Sequence, residues 1–198
     1  MNKYSSGLVS ESFWFLEVKK IIKMLNQGKT WEDIKKEALE DNLFGLAKTS
    51  RAKRVYGYLK NRITNLDDYT LDMFENSDLQ TQKIINLIAI AKQNTLFFEF
   101  IYEVYREKAI FKEVELTASD INVFFKNKQT QHEDISAWTD VTLKRLRSAY
   151  FNFLTDAGLL TVDRKSYLIT PPILDIDLER SLIDSGNESL ARAIKGAD

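Results

Sequence analysis

The chain has 198 residues, of which 44% are apolar and 12% aromatic, so it can form a sizeable hydrophobic core and is not a disordered chain. It contains no cysteine, which excludes disulfide bonds, zinc fingers and thiol catalysis. The net charge of -1 gives no overall indication of a polyanionic partner.

Helix-breaking residues are scarce, because the chain has only 7 glycines and 2 prolines, and this composition favours long helices joined by short turns. Ser10 is predicted to cap a first helix, which ends before Gly28. Thr30 and Asp33 have the spacing of a capping box, so a second helix is predicted to start after Thr30.

The third predicted helix, from Thr49 or Ser50 to about Thr64, combines an apolar stripe with a basic surface. No acidic residue occurs between Asn42 and Leu66. The basic residues of this segment are Lys48, Arg51, Lys53, Arg54, Lys60 and Arg62. On a helical wheel they cover the polar face and both its edges, and we predict that they contact phosphates. The alternative is an ordinary solvated helix face.

Two apolar segments in the middle of the chain predict the central helices of the core. Ser77 with Gln80 is expected to open the first helix, and Thr95 the second. The most apolar stretch, residues 84–91, is far shorter than the about 20 residues that cross a membrane. No N-terminal signal is visible, so we expect a cytoplasmic protein that makes no membrane contact.

The last third of the chain predicts a helix-turn-helix followed by a β-hairpin. Thr117 and Asp120 have capping-box spacing at the start of one helix. A long helix follows from about Thr139 to Ala157, with Gly158 as its natural end. Two β-type runs, residues 159–162 and 167–170, then flank a polar turn. This order is typical of a winged helix, whose second helix enters the major groove of DNA.

The long helix has an apolar side and a basic side, as a recognition helix needs. Hydroxyl groups at its start and basic residues in the hairpin turn are suited to phosphate contacts. The predicted contacts of this part are Thr139, Thr142, Lys144, Arg145, Arg147, Arg164 and Lys165. The alternative is a winged helix that binds only proteins.

The chain offers little for catalysis. Its glycines are scattered and form no phosphate-binding loop. The single histidine, His132, is expected to be a solvated surface residue in a polar loop between residues 129 and 134. Two carboxylate pairs, 67–68 and 175/177, have no further ligand nearby in the sequence, and the first pair suggests a helix start. We therefore predict no catalytic residue, no metal and no cofactor, and expect that the protein is not an enzyme.

These observations predict an all-α protein with a small β-hairpin wing. We expect an N-terminal helical domain (residues 1–110) with a basic helix-turn-helix-like segment, a winged-helix-like domain (111–172) and an acidic helical tail (173–198). The tail contains six acidic and three basic residues.

Short motifs along nearly the whole chain resemble the BrxA family of BREX phage-exclusion systems. They include Ser12-Phe13-Trp14-Phe15-Leu16-Glu17, Asn42-Leu43-Phe44, Arg51-x-Lys53-Arg54, Asp78-Leu79-Gln80-Thr81-Gln82-Lys83, the run from Phe97 to Tyr105, Asp120-Ile121-Asn122-x-Phe124-Phe125, Trp138-Thr139-Asp140 and Ala157-Gly158-Leu159-Leu160. The resemblance implies a helical, DNA-binding accessory protein of a bacterial defence system, in which other components perform the enzymatic steps. It identifies no catalytic residue.

We therefore expect a non-catalytic protein that binds duplex DNA with little sequence preference. Other BREX components are expected as further partners, and the oligomeric state stays open. Two alternatives remain: an adaptor that docks onto other defence proteins through its acidic tail or its wing, and an RNA-binding helical protein.

Overall fold

A computed structural model describes residues 4–197 and is mainly helical, with one two-stranded antiparallel sheet. The helices are α1 (Phe15–Asn26), α2 (Trp31–Leu39), α3 (Thr49–Ile63), α4 (Asp68–Asn76), α5 (Leu79–Gln93), α6 (Thr95–Phe100), α7 (Arg106–Ile110), α8 (Ala118–Gln131), α9 (Glu133–Ser136), α10 (Asp140–Asp156), α11 (Ile176–Asp184) and α12 (Glu188–Lys195). The strands are β1 (Leu160–Asp163) and β2 (Ser166–Ile169). The predicted fold class is confirmed.

Local hydrogen bonds set several helix starts where the sequence predicted them. The Thr30 side chain accepts from the Asp33 N–H while the Asp33 carboxylate accepts from the Thr30 N–H, which closes the predicted capping box of α2. Thr117 and Asp120 close the same box at α8. Asp67 caps α4, so the first carboxylate pair does mark a helix start.

The predicted start of the first helix at Ser10 is wrong. Ser10 ends a short 3₁₀ turn (Gly7–Ser10), and α1 begins only at Phe15, after Trp14 in a left-handed conformation with φ of 46°. The carbonyl groups of Ser12 and Phe13 accept hydrogen bonds from a buried arginine of α3. Because these two carbonyls are bonded to a side chain and not to helical N–H groups, residues 11–14 form no helix.

The predicted cap of α5 is displaced by one residue. Asp78, not Ser77, accepts a hydrogen bond from the Thr81 N–H at 2.7 Å. The Ser77 hydroxyl donates instead to the carbonyl of Met73 at the end of α4. A side chain that is used to end one helix is not available to begin the next one.

The two central helical segments lie in the core, as predicted. Every residue from 84 to 91 is buried, and so are Phe97, Phe100 and Tyr105. A π-helical turn (Ile101–Tyr105) joins α6 to α7. No single helix in residues 4–197 is long and apolar enough to span a membrane; α5 and the segment Thr95–Ile110 meet that test only as a pair, and they are bent by 116°.

The C-terminal half contains the predicted two helices, α8 and α10, followed by the hairpin, but the short helix α9 takes the place of the predicted loop between them. Helix α10 begins after its cap Thr139 and ends before Gly158, whose φ is +81°. Strands β1 and β2 pair with Asp163 opposite Ser166, so the hairpin turn has two residues. A third extended segment, residues 114–116, adds to β2 on its other side, because the Leu116 N–H donates to the carbonyl of Tyr167.

The buried apolar residues from Tyr4 to Ile194 form one cluster. Helices α11 and α12 pack into it through residues such as Leu178, Leu190 and Ile194. The division into three domains stays a prediction, but these residues of the predicted acidic tail belong to the common core.

Candidate nucleic-acid interface

The N-terminal half of α3 presents exposed basic side chains. Lys48, Arg51, Lys53 and Arg54 are all exposed. Within residues 4–197, none of the four lies within ion-pair distance of a carboxylate. Three of them line an open hollow of about 760 Å³, together with Ala47 and Ser50. The hollow therefore has cationic side chains and no acidic lining residue.

The start of α3 strengthens the positive potential of this hollow. No side chain caps the helix, and its first turn contains no acidic residue. The N-terminus of a helix has a partial positive charge that attracts anions. Lys48 stands at the cap position itself, where an acidic or hydroxyl side chain is more usual. Positive side chains at the N-terminus of a helix repel its partial positive charge and destabilise the helix. A bound anion would offset both positive charges, so this helix start is suited to a phosphate group.

Lys60 lies further along α3 and is only half-buried. Its ammonium group lies 5.6 Å from the centre of the Trp31 ring, at the distance of a cation–π contact. Trp31 begins α2, and its carbonyl accepts a hydrogen bond from the Tyr56 hydroxyl. Lys60 therefore takes part in the packing of α2 against α3, in addition to its exposure to solvent.

The prediction that Arg62 contacts phosphate is wrong, because its side chain is completely buried. Its guanidinium forms an ion pair with Glu11 at 2.9 Å and donates to the carbonyls of Ser12 and Phe13. Burial lowers the pKa of Arg62, and the neighbouring Glu11 carboxylate opposes that shift. Arg62 thus fixes the non-helical segment before α1 to α3.

The segment 9–14, from Val9 to Trp14, has contacts on both basic helices. Trp14 stacks on Tyr58 of α3, with ring centres 5.9 Å apart. Val9 and Glu11 line a groove of about 590 Å³ along α10. The sequence did not predict this role. The segment is joined to α3 by the buried pair of Glu11 and Arg62, which lie 51 positions apart in the chain.

Helix α10 presents two exposed basic residues between two grooves. Lys144 and Arg145 line the groove against the segment 9–14. Lys144 and Arg147 line a second groove of about 530 Å³, against α8. Arg147 is half-buried and donates to the Asn122 side chain at 2.9 Å, so part of its hydrogen-bonding capacity is already used.

The second groove also contains Lys126 of α8, a basic residue that the sequence analysis did not select. Lys126 precedes the turn of the predicted helix-turn-helix, and its position in the first helix was the available signal. An acidic residue, Asp140, lines the same groove. The positive potential along α10 is therefore weaker than around the start of α3.

The two threonines at the start of α10 are partly engaged with each other. The Thr139 hydroxyl accepts from the Thr142 N–H at 3.3 Å and lies 3.1 Å from the Thr142 hydroxyl. Thr139 is exposed and Thr142 half-buried. Their main visible role is to cap the helix.

The hairpin turn consists of Arg164 and Lys165, both exposed. Arg164 has a φ of 55°, a conformation that a tight two-residue hairpin turn demands. Both side chains extend from the tip of the hairpin, where no carboxylate in the described part of the chain lies within ion-pair distance of them.

The interpretation of His132 as a solvated residue in a polar loop is wrong. The predicted loop is mostly helical, and His132 alone separates α8 from α9. Its ring is half-buried, and its Nε2 lies 3.2 Å from the Tyr4 hydroxyl. Tyr4 also bonds to Glu99, which pairs with the buried Lys128. His132 therefore helps to hold the N-terminal segment against α8. Within residues 4–197, no three His, Asp or Glu side chains are grouped to hold a metal ion.

Comparisons with known proteins place these observations in context. A family model described as BrxA matches residues 2–186. The BREX protein BrxA of Bacillus cereus (strain H3081.97) is 37% identical over 175 residues, which cover 88% of each chain. The crystal structure of an uncharacterized protein from Magnetospirillum magneticum superimposes with a TM-score of 0.80 over 98% of this chain and 100% of that one. At 20% identity, that similarity concerns the fold alone.

Proposed function

The chain belongs to the BrxA family, and we propose that it is a non-catalytic accessory protein of a BREX phage-defence system that binds duplex DNA. The BREX assignment follows the name of the Bacillus cereus relative. The proposal of DNA binding rests on the distribution of unpaired charge over the surface.

The observation that supports DNA binding most is the basic hollow at the start of α3. Four neighbouring basic side chains are exposed without a carboxylate partner in the described structure, although the whole chain is slightly acidic. Other cations, such as Lys108, Lys128 and Lys195, have carboxylate partners, so the start of α3 differs from them in presenting four adjacent cations without one. Unpaired, exposed cations around a helix N-terminus match the phosphate backbone of a nucleic acid.

Helix α10 and the hairpin are proposed as a second contact, used as a winged helix. In this arrangement α10 lies in the major groove, where Lys144 and Arg145 reach base edges or phosphates. The hairpin turn with Arg164 and Lys165 would contact the backbone beside it. The positive charge is concentrated at the start of α3 and is weaker along α10. We therefore expect most of the affinity to come from phosphate contacts, with little preference for base sequence.

A salt titration of duplex DNA binding tests the proposal. Each phosphate contact releases counterions, so the logarithm of the affinity should fall linearly with the logarithm of the salt concentration. About four to six contacts predict a slope of roughly -4 to -5. Absence of binding at micromolar protein and low salt would refute DNA binding.

An RNA target is the remaining nucleic-acid alternative, since a basic helical face attracts both polymers. The proposed fit of α10 to a groove separates them, because the major groove of A-form RNA is too deep and narrow for a helix. We therefore expect duplex DNA to compete better than duplex RNA of the same sequence. Equal or better competition by RNA would favour the alternative.

A further inference from the structure

Helix α11 has apolar side chains on two opposite sides. Leu178 and Leu182 point inward and are at most 4% exposed. Ile176 and Ile183 are 69% and 47% exposed, and their spacing of seven residues places them on the same outer side. Single exposed apolar residues are ordinary, so the two isoleucines indicate a partner surface only together with the groove beside them.

A groove of about 720 Å³ runs between this helix and α4. Four carboxylates line it: Asp67, Asp68, Asp177 and Asp184. The lining also includes Tyr69, which is 55% exposed. Among the described residues, Arg180 is the one basic residue that lines the groove, and its guanidinium lies 3.4 Å from the Asp177 carboxylate. The groove is therefore acidic, with an aromatic ring in its wall and the two isoleucines on the outer ridge of α11.

We propose that the α11 face, defined as Ile176, Ile183 and the acidic groove, is the docking surface for a cationic amphipathic helix of a partner protein. The charge of the groove selects the partner's chemistry, because lysine or arginine side chains placed in it would meet the carboxylates. Apolar residues on the neighbouring stripe of the same helix would then cover the isoleucines. The two or more turns of α11 give a helical partner a matching length.

The nature of this surface argues against nucleic acid and against the basic segment 42–65 of a second copy as occupants. Nucleic acid is excluded by the negative charge of the groove. The chain's own basic segment, residues 42–65, contains no exposed large apolar residue that could cover the isoleucines. A partner helix with both cationic and apolar stripes satisfies both halves of the α11 face.

A synthetic peptide provides a direct test with the full chain. The probe is an amphipathic peptide of leucine and lysine, about 20 residues long, which exceeds the length at which isolated helices are marginal in water. The comparison peptide has glutamate in place of every lysine. Fluorescence anisotropy should show binding of the lysine peptide only. The double variants Ile176→Ser/Ile183→Ser and Asp177→Asn/Asp184→Asn should each weaken it by about tenfold or more.

Matched variants of other exposed residues serve as controls. Leu16 and Val123 are also exposed and apolar, and Glu40 and Asp41 are exposed acids away from the groove. The pairs Leu16→Ser/Val123→Ser and Glu40→Gln/Asp41→Asn should leave peptide binding unchanged. Equal losses in these controls would show that the peptide binds without regard to site, and would overturn the proposal.

Three further results decide the matter. Failure of the lysine peptide to bind at about 100 µM overturns the proposal. A dimer in sedimentation equilibrium that Ile176→Ser/Ile183→Ser abolishes would show that a second copy covers the surface, and also overturns it. Duplex DNA affinity should be unchanged in that variant, so that loss of peptide binding is separated from loss of DNA binding.

Discussion

Helices α3 and α10 both have an apolar side in the core and basic residues outside it, but the carboxylates around them differ. Among residues 4–197, the hollow at the start of α3 has no acidic lining residue. One groove along α10 is lined by Asp140, while Glu11 in the other groove is buried and neutralised by Arg62. A basic stripe in the sequence therefore defines a candidate surface, but the neighbouring elements determine its electrostatic potential.

The two helices are also connected, because Glu11 of the groove along α10 pairs with Arg62 of α3. The same helix α3 thus contains exposed cations at one end and a buried one at the other. This contrast allows variants that separate stability from DNA binding.

The largest expected effect is on stability. Arg62→Ala should lower the free energy of unfolding by about 3–5 kcal/mol, because Glu11 would be left buried without its cation. Urea unfolding followed by circular dichroism measures the change. Arg54→Ala, an exposed and unpaired arginine on the same helix, should change stability by less than about 0.5 kcal/mol. Equal stability of the two variants would contradict the role given to Arg62.

The second effect concerns DNA affinity. Arg51→Ala/Arg54→Ala should weaken duplex binding by on the order of 60-fold at 0.1 M salt and reduce the salt slope by about 2, as expected for two lost phosphate contacts. Lys23→Ala/Lys36→Ala removes two exposed cations elsewhere and is the matched control. If both variants bind DNA equally well, the hollow at the start of α3 is not the contact surface.

A gain of DNA affinity on removal of an acidic residue beside α10 would show that this helix also contacts DNA. Asp140→Asn removes a negative charge from the groove that Lys144 and Arg147 line. The affinity for duplex DNA should rise, by at most about eightfold at 0.1 M salt for one charge. Asp184→Asn, which removes an exposed carboxylate of the α11 groove, should have no effect. An unchanged affinity in Asp140→Asn would place α10 away from the DNA.

The smallest effect tests the support of α3 by α2. Thr30→Ala removes the cap of α2 and should cost about 1 kcal/mol of stability. Hydrogen bonds from the Thr30 side chain and backbone hold the pKa of Asp33 below its usual 3.8. The part of the cap that the Thr30 hydroxyl supplies by donating to the Asp33 carboxylate is therefore present above about pH 4 and is lost as the pH falls through the lowered pKa of Asp33.

The measurement for this last variant is Tm as a function of pH. The difference between the original chain and Thr30→Ala should shrink as the pH falls from 5 towards 3. Thr30→Ser keeps the hydroxyl, so its Tm should stay close to that of the original chain and above that of Thr30→Ala. A constant gap across this range would show that the Asp33 carboxylate does not contribute through the capping box.

The helical class, the hairpin and several helix starts, including those of α2, α3, α8 and α10, could be predicted from the sequence alone. The boxes at Thr30 and Thr117 could be predicted because their hydrogen bonds join residues three positions apart. The exposed cations at the start of α3 were also predictable, since the apolar stripe of that helix defines which side is buried.

Only the tertiary structure decided the roles of Arg62, His132 and the segment before α1. Arg62 is separated from Glu11 by 51 positions, and His132 from Tyr4 by 128. Neither pairing leaves a local pattern in the sequence, because the partners meet only after the helices have packed. A buried charge is stable only beside its partner, so the fold converted one predicted DNA contact into the link between the two basic helices.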